Sequence, residues 1–201
     1  MALSAKGINI LIAEDDVAVA TGFKIILEKA GYEVVGIAHD GIEALDLAEK
    51  CLPDLILMDI KMPRMDGLEA ARRINQSGRR KGITPIVLVT AYADKGLVER
   101  ARESGVLGYL VKPVHLDDLV PAVELAYSAA QRINALEGVV ENLSEELESR
   151  KVIERAKGIL MKRMGIGEEE AFEMMQKESR RQRIKLRDLA QAIISSDKVM
   201  S

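Results

Sequence analysis

The sequence predicts an α/β fold: a doubly wound five-stranded parallel sheet, followed by a long helix and a small three-helix bundle. Short apolar runs alternate with amphipathic stretches through the first two thirds of the chain, the βαβ signature of a parallel sheet covered on both faces. The 201 residues exceed a typical single domain and leave room for a smaller appendage. Past residue 116 the chain holds few helix breakers.

The apolar runs are Ile8 to Ala13, Tyr32 to Ala38, Asp54 to Met58, Pro85 to Thr90 and Gly108 to Val111. Helical stretches lie near residues 16–30, 41–51, 67–77, 95–104 and from 117 onward, set apart by Gly31, Pro53, Gly67, Gly82, Gly105 and Pro113. From Leu116 to Met164 no proline follows Pro121, and the only glycines are Gly138 and Gly158. Ile133, Leu136, Val140, Leu143 and Leu147 recur with a/d heptad spacing until Arg150 takes the next d position. That stripe reads as a dimerisation stalk; the alternative is packing against the tail. Residues 151–164, 168–179 and 187–196 read as three tail helices, with Gly165 and Gly167 in the first turn between them and Glu168, Glu169 and Glu170 favouring a helix N-terminus. The expected organisation is a sheet domain over residues 1–126, a helical linker over 127–150 and a tail domain over 151–201.

Composition narrows the class. Hydrophobic residues at 48% and charged residues at 30% exclude a disordered, collagen-like or membrane-spanning chain. With no Trp, two Phe and four Tyr, the core must be aliphatic, and a nucleic-acid surface would lack aromatic stacking platforms. The net charge of −3 divides into −8 over residues 1–149 and +5 over residues 150–201, an acidic body with a basic tail suited to a polyanion. One cysteine, Cys51, leaves no internal disulfide and fits a reducing compartment. The apolar run near the start is too short for a signal peptide or a membrane span, so a cytoplasmic protein with no membrane partner is expected.

In an open parallel sheet, function collects at the carboxyl ends of the strands. Asp15 and Asp16 follow the first run, Asp59 the third, Thr90 ends the fourth, and Lys112 follows the fifth. Carboxylates converging at one edge repel, and a divalent cation with oxygen ligands relieves that. Asp16 alone has a simpler reading as the N-cap of the next helix. The set as a whole suggests phosphoryl transfer to a carboxylate, with Asp59, which stands alone, as nucleophile and Mg²⁺ held by Asp15 and Asp16.

Residues 8 to about 126 resemble the receiver domain of two-component response regulators, with its flavodoxin-like fold. Ala13-Glu14-Asp15-Asp16, Leu57-Met58-Asp59-Ile60-Lys61-Met62-Pro63, Met65-Asp66-Gly67, Val89-Thr90-Ala91 and Gly108-Tyr109-Leu110-Val111-Lys112-Pro113 carry the likeness. The resemblance implies that Asp59 accepts phosphate from a sensor histidine kinase. It implies Mg²⁺ on Asp16, Asp59 and the Lys61 carbonyl, with Asp15 acting through water. Thr90 and Lys112 would contact the phosphoryl oxygens, and Tyr109 would be an aromatic switch that turns inward as Thr90 moves.

In the tail, five of the eight residues from Arg180 to Arg187 are basic, which is either a solvated helix end or a nucleic-acid surface. No three-residue turn leads into a recognition helix, which counts against a helix-turn-helix. Gly158, within a helical stretch, suggests close approach by another backbone or a ligand. Residues from about Val152 to Ile194 resemble the ANTAR domain, an RNA-binding antitermination module. The likeness rests on Glu154-Arg155-Ala156-Lys157-Gly158-Ile159-Leu160-Met161, Glu169-Glu170-Ala171-Phe172, Arg180-Arg181, Lys185-Leu186-Arg187-Asp188-Leu189-Ala190 and Ile193-Ile194. It implies a three-helix bundle, usually dimeric, that binds paired RNA hairpins and so acts indirectly on the RNA polymerase elongation complex. Arg155, Ala156, Lys157, Gly158, Arg180, Arg181 and Lys185 would face RNA, while Phe172 reads as core. The expectation is a phosphorylated response regulator, not a turnover enzyme, that causes antitermination. Its rivals are a DNA-binding tail and a phosphotransferase that turns over an aspartyl phosphate, for which His39 and His115 supply no general acid at the strand ends.

Overall fold

The computed structural model describes residues 7–77, 82–91 and 104–199; the stretch expected to be helical near 95–104 lies outside them except for Ser104. The chain divides into two units, residues 1–137 and 138–201.

In the first unit, β1 (Asn9–Ala13), α1 (Val17–Lys29), β2 (Glu33–Ala38), α2 (Gly41–Cys51), β3 (Leu55–Asp59), α3 (Gly67–Gln76), β4 (Ile86–Thr90) and β5 (Gly108–Val111) precede α4 (Leu116–Met164). The strands are all parallel and ordered β2-β1-β3-β4-β5, so the expected five-stranded doubly wound sheet is present. Strand order reverses between β1 and β3, which opens a crevice at their carboxyl ends.

Alternation along the strands fills two aliphatic cores. Leu11, Ile56, Met58, Ile86 and Leu88 meet Ala44 and Ala48 of α2 and Leu68, Ala70 and Ala71 of α3. Ile10, Ile12, Leu55, Leu57, Val87 and Val89 meet Phe23 and Leu27 of α1 and Leu119 and Val123 of α4. Burial on both faces explains why the strands read as continuous apolar runs. Asp16, Asp40 and Asp66 start α1, α2 and α3 by accepting backbone N–H bonds.

The second unit packs α4 residues with α5 (Glu168–Gln182) and α6 (Leu186–Val199) around Ala156, Met175, Leu189, Ala190 and Ile194. Residues 151–164, expected as a separate helix, are instead the final turns of α4. Arg183, with φ +57°, closes α5, and the Ile184 N–H returns to the Ser179 carbonyl at 3.1 Å. No helix among the described residues is long and apolar enough to cross a membrane.

Candidate phosphoacceptor site and tail cations

The carboxyl ends of β1, β3, β4 and β5 bring one acidic group and one cation together. Asp59 ends β3 beside Val89 of β4, and it is 7% exposed. Its Oδ1 accepts the Ile60 N–H at 2.8 Å, and its Oδ2 accepts Lys112 Nζ at 3.1 Å. Lys112 also donates to both oxygens of Glu14, at 3.0 and 2.8 Å. The Lys112 N–H bonds the Thr90 carbonyl at 2.8 Å, so the edge of β4 fixes where the lysine leaves the sheet. Thr90 is itself buried at the end of β4.

Oxygens of Glu14, Asp15 and Asp59 lie within 4.8 Å of one another. An all-carboxylate set of that spacing suits a hard divalent cation. Glu14 is 1% exposed. Burial raises its carboxyl above the usual range against the Lys112 hydrogen bond, and the charge of Asp59 adds to the rise. Burial pulls the Lys112 ammonium down, but its hydrogen bonds to Glu14 and Asp59 outweigh that and leave it raised.

Asp16 stands apart from this group. Its Oδ1 accepts the N–H groups of Ala18 and Val19 at 2.8 and 3.1 Å, which is N-cap geometry. The acidic group is therefore displaced by one residue from the expected pair of Asp15 and Asp16, because β1 ends at Ala13 and α1 claims Asp16. Glu14 is the residue the sequence reading passed over; the N-cap preference for the last acid of an acidic run was the signal that would have found it.

The loop after β3 is held on two sides. A Cβ on Gly67 would lie 2.1 Å from the Asp59 carbonyl oxygen, so only glycine allows α3 to start there. Arg64, at φ +63°, pairs with Asp40. Lys61 follows in the same loop with its side chain exposed. Tyr109 points outward on β5, 51% exposed.

In the tail, the residues expected to face RNA separate. Arg155, Gly158, Arg180, Arg181 and Lys185 are exposed. Ala156 is fully buried in the bundle core, because it shares a face with Val152 and Ile159. Lys157 is buried as well: it pairs with Glu154 at 2.8 Å and Glu168 at 2.7 Å, and its Nζ sits 5.6 Å from the centroid of the Phe172 ring. Both are structural in this arrangement, contrary to their expected place on the surface. Phe172 is half-buried beneath that lysine. Nothing lies within 4 Å of a Cβ placed on Gly158, so no other backbone approaches it among the described residues. Leu136, Val140, Leu143 and Leu147 are each more than half exposed.

Comparison with known proteins agrees with this arrangement. The family model of the response regulator receiver domain matches residues 10–124, and that of the ANTAR domain matches residues 141–194. The transcriptional regulatory protein PdtaR of Mycobacterium tuberculosis is 46% identical over 188 residues, covering 94% of this chain and 90% of its own length. The polar-differentiation response regulator DivK of Brucella anthropi is 36% identical over 116 residues, 58% of this chain and 93% of that protein. Among solved structures, the signal receiver domain of a modulated diguanylate cyclase from Desulfovibrio desulfuricans aligns with a TM-score of 0.55 at 34% identity, over 61% of this chain and 95% of that one. A CheY-like receiver domain protein from Methanospirillum hungatei aligns with a TM-score of 0.57 at 33% identity, over 62% and 97% of the two chains.

Proposed function

This chain belongs to the response regulator receiver family, its receiver joined to an ANTAR domain, and on that premise we propose that phosphorylation of Asp59 controls RNA-hairpin binding and transcription antitermination. The observation that carries the receiver half is Lys112 bridging Glu14 and Asp59 beside Asp15 at the switch point of the sheet.

A sensor histidine kinase is the donor. A carboxylate oxygen of Asp59 attacks the phosphorus of the kinase phosphohistidine; the O–P bond forms, the P–N bond breaks, and the kinase imidazole leaves. The chain contributes position and charge. The Ile60 N–H orients the carboxylate, and Lys112 offsets the negative charge that gathers as the phosphoryl group arrives. Asp15 and Asp59 would hold Mg²⁺ with Glu14 beside them and the Lys61 carbonyl completing the set, and the ion would supply further charge neutralisation. The Thr90 hydroxyl and Lys112 meet the phosphoryl oxygens, and Tyr109, outward in this structure, is the element that Thr90 releases inward.

The match of the tail to an ANTAR domain supports RNA rather than DNA as the output. The bared heptad residues of α4 support a homodimer of the linker helix, in which two tails would meet two hairpins. The protein is a cytoplasmic phosphoacceptor rather than a turnover enzyme, and it reaches RNA polymerase only through the transcript. Acetyl phosphate should label the wild type at about one phosphate per chain and leave Asp59→Asn unlabelled; persistent labelling of that variant removes Asp59 from the role. Phosphorylated protein should bind a two-hairpin RNA more tightly than a scrambled RNA or duplex DNA at matched salt. Equal binding to all three ends the antitermination reading, and preference for the duplex replaces it with a DNA-binding one.

A further inference from the structure

Asn134 of α4 is tied to the entry of β4 through both ends of its side-chain amide. Its Oδ1 accepts the Ile83 N–H at 2.8 Å and its Nδ2 donates to the Ile83 carbonyl at 3.3 Å, so one side chain copies a strand neighbour across 51 residues of sequence. Asparagine is a poor helix former, and here its amide serves the sheet domain rather than its own helix. The loop is shaped to receive it: Gly82 has φ +88°, and a Cβ there would lie 2.3 Å from Asn134 Oδ1. Asn75 of α3 makes a second tie. Its Oδ1 accepts the Thr84 N–H at 3.2 Å, and its Nδ2 donates to the Ser104 carbonyl at 3.3 Å, shortly before β5. The starts of β4 and β5 are thus joined, and α4 is joined to them through Asn134.

The far ends of the same two strands carry the phosphoacceptor site. β4 ends on Thr90, and β5 leads into Lys112, whose N–H bonds the Thr90 carbonyl. Tyr109 on β5 is outward while Asn134 holds Ile83. On α4, Ile133 stands next to Asn134 as the first heptad residue and is half-buried, whereas Leu136, Val140, Leu143 and Leu147 are each more than half exposed. The bond to Ile83 therefore goes with a seam whose first residue is covered by its own chain. In so short a heptad run, one seam residue counts heavily.

We propose that the Asn134–Ile83 pair is a latch that withholds Ile133 from the homodimer seam, and that phosphorylation of Asp59 opens it. The inference rests on the phosphoacceptor and stalk readings above and names the contact that joins them. Thr90 and Lys112, drawn to the phosphoryl oxygens, pull on β4 and β5. β4 is buried at every position, so it shifts as a piece in its close-packed surroundings and moves Ile83 against Asn134. A hydrogen bond already at 3.3 Å has little length to give before it is lost. Two neutral hydrogen bonds shift an equilibrium by about tenfold to a hundredfold, enough to keep unphosphorylated chains apart and little enough for one phosphoryl group to overcome.

The test uses the full chain with and without acetyl phosphate, the label on Asp59 being followed by mass. Amide exchange at Ile83, read by NMR, should be about tenfold slower in untreated wild type than in Asn134→Ala, and should rise to the rate of the variant after treatment. Asn134→Asp keeps the acceptor for the Ile83 N–H, so its untreated exchange should stay slow. By sedimentation equilibrium, untreated Asn134→Ala should associate about tenfold more tightly than untreated wild type and gain little from acetyl phosphate. Gly82→Ala opens the latch from the loop side without altering the surface of α4, so the same gain there excludes a stickier helix as the cause. Ile83 exchange that is equal in wild type and Asn134→Ala, or that labelling leaves unchanged, overturns the latch while the phosphoacceptor and stalk readings stand. Fast exchange in Asn134→Ala with wild-type association overturns its hold on the seam. Wild type that takes label and never associates ends the stalk reading and the gating with it, and wild type that takes no label ends the phosphoacceptor reading and removes the trigger.

Discussion

Lys112 holds Glu14 through both carboxylate oxygens, at 3.0 and 2.8 Å, across 98 residues of sequence. The glutamate is 1% exposed, so the lysine is a structural counter-ion before it meets any phosphoryl group. Lys112→Met removes the cation and leaves Glu14 and Asp59 facing each other. Breaking a buried pair costs about 3–5 kcal/mol, and the part-exposed lysine brings the expectation to about 2–3 kcal/mol at neutral pH. The pH dependence follows from Glu14, whose carboxyl is already held above 4.5. A raised acid contributes stability that is present below 4.5 and is lost as pH rises through its folded value. Without Lys112 that loss grows, so the deficit of Lys112→Met should shrink as pH falls toward 4.5. Urea midpoints of wild type and variant from neutral pH down check this; a deficit constant in pH would contradict it.

Gly67→Ala should damage the site without touching a charged group. The added Cβ would lie 2.1 Å from the Asp59 carbonyl oxygen and 3.1 Å from Met58 Cγ, and both neighbours belong to buried β3. Overpacking of this kind costs about 1–3 kcal/mol where side chains can yield, and backbone yields less. The expectation is about 3 kcal/mol of lost stability together with slower acetyl-phosphate labelling, read from thermal melts and phosphorylation rates.

Asp15→Asn and Asp16→Asn should separate cleanly. Asp16 serves α1 through one oxygen that accepts two N–H groups, and asparagine offers the same oxygen, so stability should change by less than about 0.5 kcal/mol. Mg²⁺ affinity should also be nearly unchanged. Asp15, grouped with Glu14 and Asp59, should instead lose tenfold or more in Mg²⁺ affinity as asparagine. Calorimetric titration with Mg²⁺ alone decides it, and a larger loss for Asp16→Asn would restore the pair that the sequence first suggests.

That one-residue displacement shows where the sequence was legible and where it was not. The five strands and their carboxyl-end residues could be read because both sheet faces are buried, and β3 and β4 are apolar at almost every position. Asp59, Thr90 and Lys112 follow from strand ends alone. An acidic run before a helix is ambiguous, because a carboxylate there serves equally as ligand or cap, and only the start of α1 at Val17 resolves it. In the tail, charge and glycine drew attention to residues 155–158, but a four-residue stretch covers more than one turn of helix. Ala156 repeats Val152 at i+4 and therefore faces inward, a periodicity the motif obscured. Arg150 breaks a heptad without breaking a helix, so residues 151–164 continue α4 instead of starting a helix of their own.

The Lys157–Glu168 pair predicts a pH limb for the tail. Its hydrogen bond to Lys157 holds the Glu168 carboxyl below 4.5, so the contribution to stability is present above 4.5 and is lost as pH falls through the lowered value. Lys157→Met keeps an apolar stem of similar length and removes the charged partner that sits over Phe172. Its melting temperature should lie below that of wild type at neutral pH and converge with it as pH falls from 4.5 through the lowered Glu168 value, as circular dichroism melts across that range would show.

Leu143→Glu tests the stalk. Leu143 is 54% exposed within α4, so in a single chain the substitution removes little packing and should change stability by no more than about 0.5 kcal/mol. In a pair of chains the same position is a heptad seam residue, and two glutamates brought together there would be buried like charges without cations. The homodimer should therefore weaken by a hundredfold or more while the melting temperature measured at the lowest protein concentration stays the same. Sedimentation equilibrium of the acetyl-phosphate-treated chain reads the first quantity and dilute thermal melts the second. Unchanged association would move the interface off this stripe. A large loss of stability in the dilute chain would instead mean that the stripe packs within its own chain.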